Sequence, residues 1–273
     1  MNPPALKFGC QTFTWEMLGD AWTGGPDDLV AAIAAGGYAG IEITDRMIGS
    51  CADSTADFAR RLDAAGLALV AFAMGSDGGF TEPGQAAADL EAVRRWVGLA
   101  ARFPGAVLSL GSATVMSEDA RDDKFKVAAE IYNGAAEIGQ GAGVTVAVHP
   151  SSHHNTLLSS RADYDRIFGL LEPRLGWVPD TGHILRGGQV IGETLAAHRD
   201  RIRYLHLKDV DAQGIWAMLG EGTCDVPSVV AAVLQAPGFN GWVVVEEESA
   251  AAASDPAAAV RANRETLRRL GVG

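Results

Sequence analysis

The chain is short of positive charge. Its 273 residues carry 22 Lys and Arg against 34 Asp and Glu, for a formal net charge of −12. A surface of that sign repels phosphate backbones, and no local basic cluster offsets it, so nucleic acid is disfavoured as the main partner. Cysteine is scarce as well. Cys10, Cys51 and Cys224 are odd in number, scattered and without metal-type spacing, which argues against a disulfide framework and fits a reducing compartment. No apolar run approaches the roughly 20 residues of a membrane span, and "MNPPALKFGC" lacks the charged-then-apolar order of a secretory signal. These absences predict a soluble, cytoplasmic protein. A Gly-rich phosphate cradle is missing too, since "FGCQTFTW" is not one, and an unphosphorylated small molecule is the expected ligand.

What the chain does have is rhythm. Eight short apolar runs recur: "LKFGC", "YAGIEIT", "LALVAFAM", "AVLSLG", "VTVAVH", "LGWVPD", "IRYLHLKD" and "GWVVVEEE". Between them lie helix-period segments such as "PDDLVAAIAAGG", "STADFARRLDAAG" and "DLEAVRRWVGLAARF", several closed by Gly as helix C-termini often are. Continuous apolar strands alternating with helices indicate a parallel sheet with helices over it. Eight such units predict an α/β (β/α)₈ TIM barrel spanning residues 1–273 as one domain. A doubly wound open sheet is the competing architecture, but it usually has fewer strands and a phosphate loop after the first.

A barrel carries its active site at the C-terminal ends of its strands. The polar residues there are Glu42 after the second run, His149 with His153 and His154 after the fifth, and Asp180 with His183 after the sixth. The seventh run brings His206 and Lys208, and the eighth brings Glu246, Glu247 and Glu248. Five of the six histidines fall at these ends, and His198 alone falls within a predicted helix. Carboxylates and neutral imidazoles from neighbouring strands hold a divalent cation while leaving positions for substrate oxygens. Asp180, His206 and Glu246 arrive on three successive strands, and His149 is the natural fourth ligand. Mn²⁺ suits the set best, with Co²⁺, Zn²⁺, Mg²⁺ and Fe²⁺ also compatible.

Each residue also has a plainer reading. Asp180 before "TGH" suits a turn or helix cap, Lys208 and Asp209 suit a rim ion pair, and Glu42 suits a cap on the next helix. Two of the three glutamates in "EEES" suit solvent, and Glu246 is preferred because it directly ends the apolar run. Trp15, Phe13, Trp22 and Trp216 are candidates to wall a sugar pocket, though tryptophan also fills barrel–helix interfaces. Arg186 is a candidate contact for an anionic group or a surface residue.

"PDTGH", "RIRYLHLKDV", "LGEGTCDVPSVVAAVL" and "GWVVVEEES" resemble the sugar isomerase/epimerase superfamily, the xylose-isomerase-like TIM barrels. The resemblance is clearest over the C-terminal half. It implies that Asp180, His206 and Glu246 ligate metal and that His183 contacts substrate. Members that epimerise sugars typically carry Glu on the fifth strand, whereas this chain has His149 in "VTVAVHPSSHHNT", which is more similar to inosose dehydratases. A metal-bound imidazole has its lone pair engaged and accepts protons poorly, so a two-glutamate proton exchange loses a member.

The expected reaction is removal of a proton beside the carbonyl of a keto-sugar or keto-cyclitol. Glu246 is expected as base, His183, His153 or His154 as acid, Lys208 in the catalytic group, and Glu42, His153, His154, Trp15 and Arg186 at the substrate. Elimination is favoured by the missing fifth-strand Glu, with isomerisation or epimerisation as the alternative. AP endonucleases share the resemblance but need further histidines from early strands and a basic face. The sequence leaves open a homo-oligomer, a hetero-oligomer, or a non-catalytic sugar-binding or partner subunit.

Overall fold

The computed structural model describes residues 4–273; residues 1–3, which open the N-terminal stretch considered above, lie outside it. All eight apolar runs form strands: β1 Lys7–Gln11, β2 Gly40–Thr44, β3 Ala68–Met74, β4 Val107–Leu110, β5 Thr145–Val148, β6 Gly176–Trp177, β7 Leu205–Leu207 and β8 Trp242–Val245. They pair in parallel in the order β6-β5-β4-β3-β2-β1-β8-β7. The seam between β6 and β7 closes through the parallel bridges Trp177↔Ile202 and Asp180↔His206. Arg203 N donates to Trp177 O at 3.0 Å and His206 N to Pro179 O at 2.8 Å. The ladder is thin here because Pro179 has no N–H to contribute. The fold is a (β/α)₈ TIM barrel.

The expected helices form the outer layer, among them Pro26–Ala35, Thr55–Ala65, Ala86–Ala100, Arg121–Gly141, Arg161–Leu170 and Pro256–Arg269. His198 does not lie inside its predicted helix; it caps the C-terminus of Ile191–Ala197 and reaches Asp165 at 2.9 Å. Three short helices, Phe13–Glu16, Thr181–Arg186 and Ala250–Ser254, sit in the loops after β1, β6 and β8. Such short pieces carry too little apolar periodicity to stand out in sequence. An antiparallel ribbon, Asp209–Val210 with Trp216–Ala217, follows β7. Among the described residues no helix is long and apolar enough to cross a membrane.

The core has two shells. One lies between strands and helices and includes Leu29, Phe58, Phe125 and Ile167. The other, inside the barrel, is Val70, Ala71, Val107, Ala147, Val178, Tyr204, Trp242 and Val244. Trp242 fills the floor at the expense of its neighbour. A Cβ on Gly40 would stand 2.5 Å from Val70 Cγ2 and 2.7 Å from the Trp242 ring. From this floor the two-residue period of a strand carries each inward series upward. Gly40 leads to Glu42 and Thr44, Ala147 to His149, Val178 to Asp180, Tyr204 to His206 and Lys208, and Trp242 through Val244 to Glu246. That phase separates Glu246 from Glu247, which turns away to Asn263.

Candidate metal centre and cavity

One donor atom each from His149, Asp180, His206 and Glu246 lie within 4.8 Å of one another at the top of this interior. Asp180, His206 and Glu246 are almost fully buried. Asp180 does both things its sequence context suits. Its Oδ1 accepts the backbone N–H of His183 at 2.8 Å, capping the helix Thr181–Arg186, and its Oδ2 is free. His149 Nε2, Asp180 Oδ2 and His206 Nδ1 are all buried without a hydrogen-bond partner. His149 Nε2 and Asp180 Oδ2 are 3.6 Å apart, and His206 Nδ1 lies 3.8 Å from Asp180 Oδ2 and 2.9 Å from Glu246 Oε2. Buried polar atoms rarely go unpartnered. Three of them facing one point, beside a carboxylate oxygen, fit a divalent cation held by two imidazoles and two carboxylates.

Glu42 caps no helix; it lines the cavity and is held by two neighbours. Its Oε1 accepts from Gln11 Nε2 at 2.8 Å, and its Oε2 accepts from His206 Nε2 at 2.7 Å. A carboxylate behind an imidazole fixes its tautomer and orientation, and here Glu42 would leave Nδ1 of His206 turned toward Asp180 and Glu246, free to hold a cation. Burial opposes a charge on His206, but Glu42 and Glu246 outweigh it and push its pKa up to about 10.

Lys208 forms no ion pair with Asp209. Its Nζ donates to Glu246 Oε1 at 2.6 Å and to Glu248 Oε1. Burial pulls the ammonium pKa down, yet Glu246, Glu248 and Asp180 outweigh it, so Lys208 stays protonated and clamps Glu246. Burial likewise raises the Glu246 carboxyl, but the Lys208 ammonium and then His206 hold it well below the usual carboxylate range. Asp209 instead accepts from the backbone N–H groups of Gly220, Gly222 and Cys224, folding the loop beside the mouth. None of the three glutamates in "EEES" is free in solvent: Glu247 accepts from Asn263 Nδ2 at 2.6 Å and from Ser249 N at 2.8 Å.

His183 lies in the short helix after β6 rather than in an open loop, and is buried. Ser152 N donates to its Nδ1 at 3.0 Å, with Ser152 Oγ at 2.9 Å. Burial holds its pKa well below the usual histidine value, with the charges of Lys208 and His149 acting in the same direction against Asp180 and Glu246. A neutral imidazole accepting at Nδ1 carries its hydrogen on Nε2, so His183 is a hydrogen-bond donor there. His153, His183 and Glu248 also converge, but the Lys208 ammonium already occupies Glu248.

A cavity of about 410 Å³ opens over the centre, lined by His149, His183 and Glu246 together with Phe13, Glu16, Thr44, Asp45 and Arg46 among others. His153 and Glu42 also line it. Trp15 does not; it is 1% exposed and packs on Trp22. Arg186 lies over the Trp216 ring at 4.4 Å, outside the cavity lining, and His154 is exposed and outside it. Trp216 packs edge-on to His183 at 5.2 Å and props its ring. Glu16, Asp45 and the small residues Gly75, Ser76, Gly111 and Ser112 were not anticipated, because loop residues carry no periodic signal.

The sequence profile described as xylose isomerase-like TIM barrel matches residues 30–270. An inosose dehydratase of Geobacillus kaustophilus is 29% identical over 168 residues, covering 55% of this chain and 54% of that enzyme. The chain thus spans about half the length of the first curated relatives it matches, 54% and 57%. Among solved structures, 3-keto-D-glucoside 4-epimerase of E. coli superposes with a TM-score of 0.75 at 20% identity, covering 97% of this chain and 99% of that one. The zinc-bound IOLI protein superposes with a TM-score of 0.75 at 16% identity, covering 98% and 97%. These structural likenesses bear on the fold.

Proposed function

Because the chain belongs to the xylose isomerase-like TIM barrel family, we propose that it is a divalent-metal-dependent lyase that dehydrates a keto-sugar or keto-cyclitol. The observation that carries this reading is the set of three unpartnered donor atoms and Glu246 facing one point beneath an open polar cavity. His149, Asp180, His206 and Glu246 would hold the ion, and Mn²⁺ suits their mixture of nitrogen and oxygen. When bound, the cation supplies Lewis acidity to the substrate carbonyl and acidifies the adjoining C–H, which offsets the low basicity of Glu246.

The rest falls to the protein's own groups. Glu246 accepts the C–H proton, with Lys208 holding its Oε1 in place. His183 donates from Nε2 to a substrate oxygen while keeping its own proton, since loss would create an imidazolate in a buried site. His149 contributes a ligand where a second basic carboxylate would permit proton return to the opposite face, and this favours elimination over epimerisation. The similarity to inosose dehydratases over about half their length supports the same outcome. The acidic balance of the chain and the absence of a phosphate cradle favour an uncharged, unphosphorylated substrate. We place the reaction in the cytoplasm, in a chain that acts as one domain.

The test is a panel of keto-sugars and keto-inositols given to manganese-loaded protein and read by mass. Loss of water is expected. Unchanged mass with altered retention would replace the lyase reading with an isomerase or epimerase. No turnover and no exchange of substrate C–H in deuterated water would leave a binding or partner subunit. Glu246→Gln is expected to abolish turnover and weaken manganese binding together, and full activity in that variant rules out Glu246 as base.

A further inference from the structure

Elimination needs a group that hands a proton to the departing oxygen, and the metal-side residues do not provide it. His149 has its free nitrogen turned to the ligand cluster, Lys208 is locked between two glutamates, and His183 keeps its Nε2 hydrogen. Among the residues that line the same cavity, one carboxyl is differently placed. Glu16 ends the short helix Phe13–Glu16 after β1 and lines the same cavity as Glu246.

Thr44 Oγ1 donates to Glu16 Oε2 at 2.5 Å. Thr44 stands two residues beyond Glu42 on β2, on the same face, so Glu16 sits one layer above the Glu42–His206 pair. Its other oxygen, Oε1, has only Arg46 Nε at 3.9 Å, and that arginine's side chain is 77% exposed against 16% for Glu16. One oxygen is therefore anchored and the other unclaimed within the wall of the cavity. Burial raises the Glu16 carboxyl above its ordinary value, Asp45 and Glu246 add to the rise, and Thr44 and Arg46 only partly oppose it.

We propose that Glu16 is the acid that protonates the leaving hydroxyl, an assignment that rests on the lyase reading above. The C–H bond breaks first, reversibly, toward Glu246, with its electron pair delocalised into the adjoining carbonyl; that pair then becomes the new carbon–carbon double bond as the neighbouring C–O bond breaks. The departing oxygen takes the Glu16 proton and leaves as water. Glu246 ends protonated and Glu16 ionised, and exchange with water through the cavity mouth resets both. No oxidant or further reactant is required.

The experiment compares wild type with Glu16→Gln, both loaded with manganese, on a keto-cyclitol or keto-sugar from the panel, in deuterated water. Loss of a general acid is expected to slow elimination by about 10²–10⁴-fold. Deuterium incorporation into recovered substrate, which reports Glu246 alone, should stay within a few-fold of wild type, and manganese affinity should not change. A substrate with fluoride in place of the leaving hydroxyl needs no proton and should restore the rate. Elimination at the wild-type rate in Glu16→Gln overturns the proposal, as does loss of deuterium exchange in parallel with elimination. If His153→Ala shows the selective loss and Glu16→Gln does not, the acid is His153. A wild type that exchanges without eliminating overturns the lyase reading instead, which keeps the two failures separate.

Discussion

His206 is where the site's electrostatics concentrate, because its two nitrogens face two carboxylates. Nε2 donates to Glu42 and Nδ1 faces Glu246 and Asp180. Without an ion the ring is a cation, with a pKa pushed up to about 10. A divalent ion at Nδ1 takes the place of that proton. Manganese binding at pH 8 should therefore release about one proton, visible as a calorimetric enthalpy that changes with the ionisation heat of the buffer. Affinity should climb with pH toward that value. Binding without proton release would show that His206 is already neutral. Glu42→Leu removes the acceptor behind the ring, and manganese affinity should fall by roughly 10–100-fold. Glu42→Gln keeps an acceptor oxygen and should lose less, and equal losses would mean that charge, not ring orientation, is what Glu42 provides.

At the scale of the element, the barrel floor determines how the strand ends are presented. Trp242 and Val70 fill the space that a Gly40 side chain would need, with contacts of 2.7 and 2.5 Å. Gly40→Ala is an overpacking change expected to cost about 1–3 kcal/mol, read from a urea midpoint. It should also disturb the metal centre, since Gly40 and Glu42 share the inward face of β2. A neutral effect on stability would mean that the floor yields more easily than its close contacts indicate. The eight strands were legible as apolar runs because a buried parallel strand needs no polar face. The helices were legible from their period and Gly ends. The helix at Thr181–Arg186 was half-legible: the Asp180 cap is visible in "DTGH", but six residues do not establish a period.

For the whole molecule, an ion that binds only the folded state adds stability by mass action. At 100 times its dissociation constant manganese should contribute about 2.7 kcal/mol, and chelation should lower the melting temperature correspondingly. The metal-free protein should also respond to pH through His206. Its folded pKa of about 10 lies above the ordinary 6.5, so its contribution is complete below 6.5 and disappears as pH rises through about 10. Chelated protein should therefore melt earlier as pH rises from 7 to 10, while the gap between loaded and chelated protein widens. Matching melting curves at both ends of that range would place the charge elsewhere. Strand count, barrel architecture and the grouping of His149, Asp180, His206 and Glu246 at neighbouring strand ends are present in the sequence alone, because a strand's period and the position of its end are local properties. Which oxygen of Asp180 caps a helix, that Glu42 backs His206, that Lys208 clamps Glu246, and that Glu16 shares the cavity are decided only in three dimensions. The Glu42–His206 pair joins residues 164 positions apart and the Lys208–Glu246 pair residues 38 apart, and only closure of the barrel brings such partners within reach of a hydrogen bond.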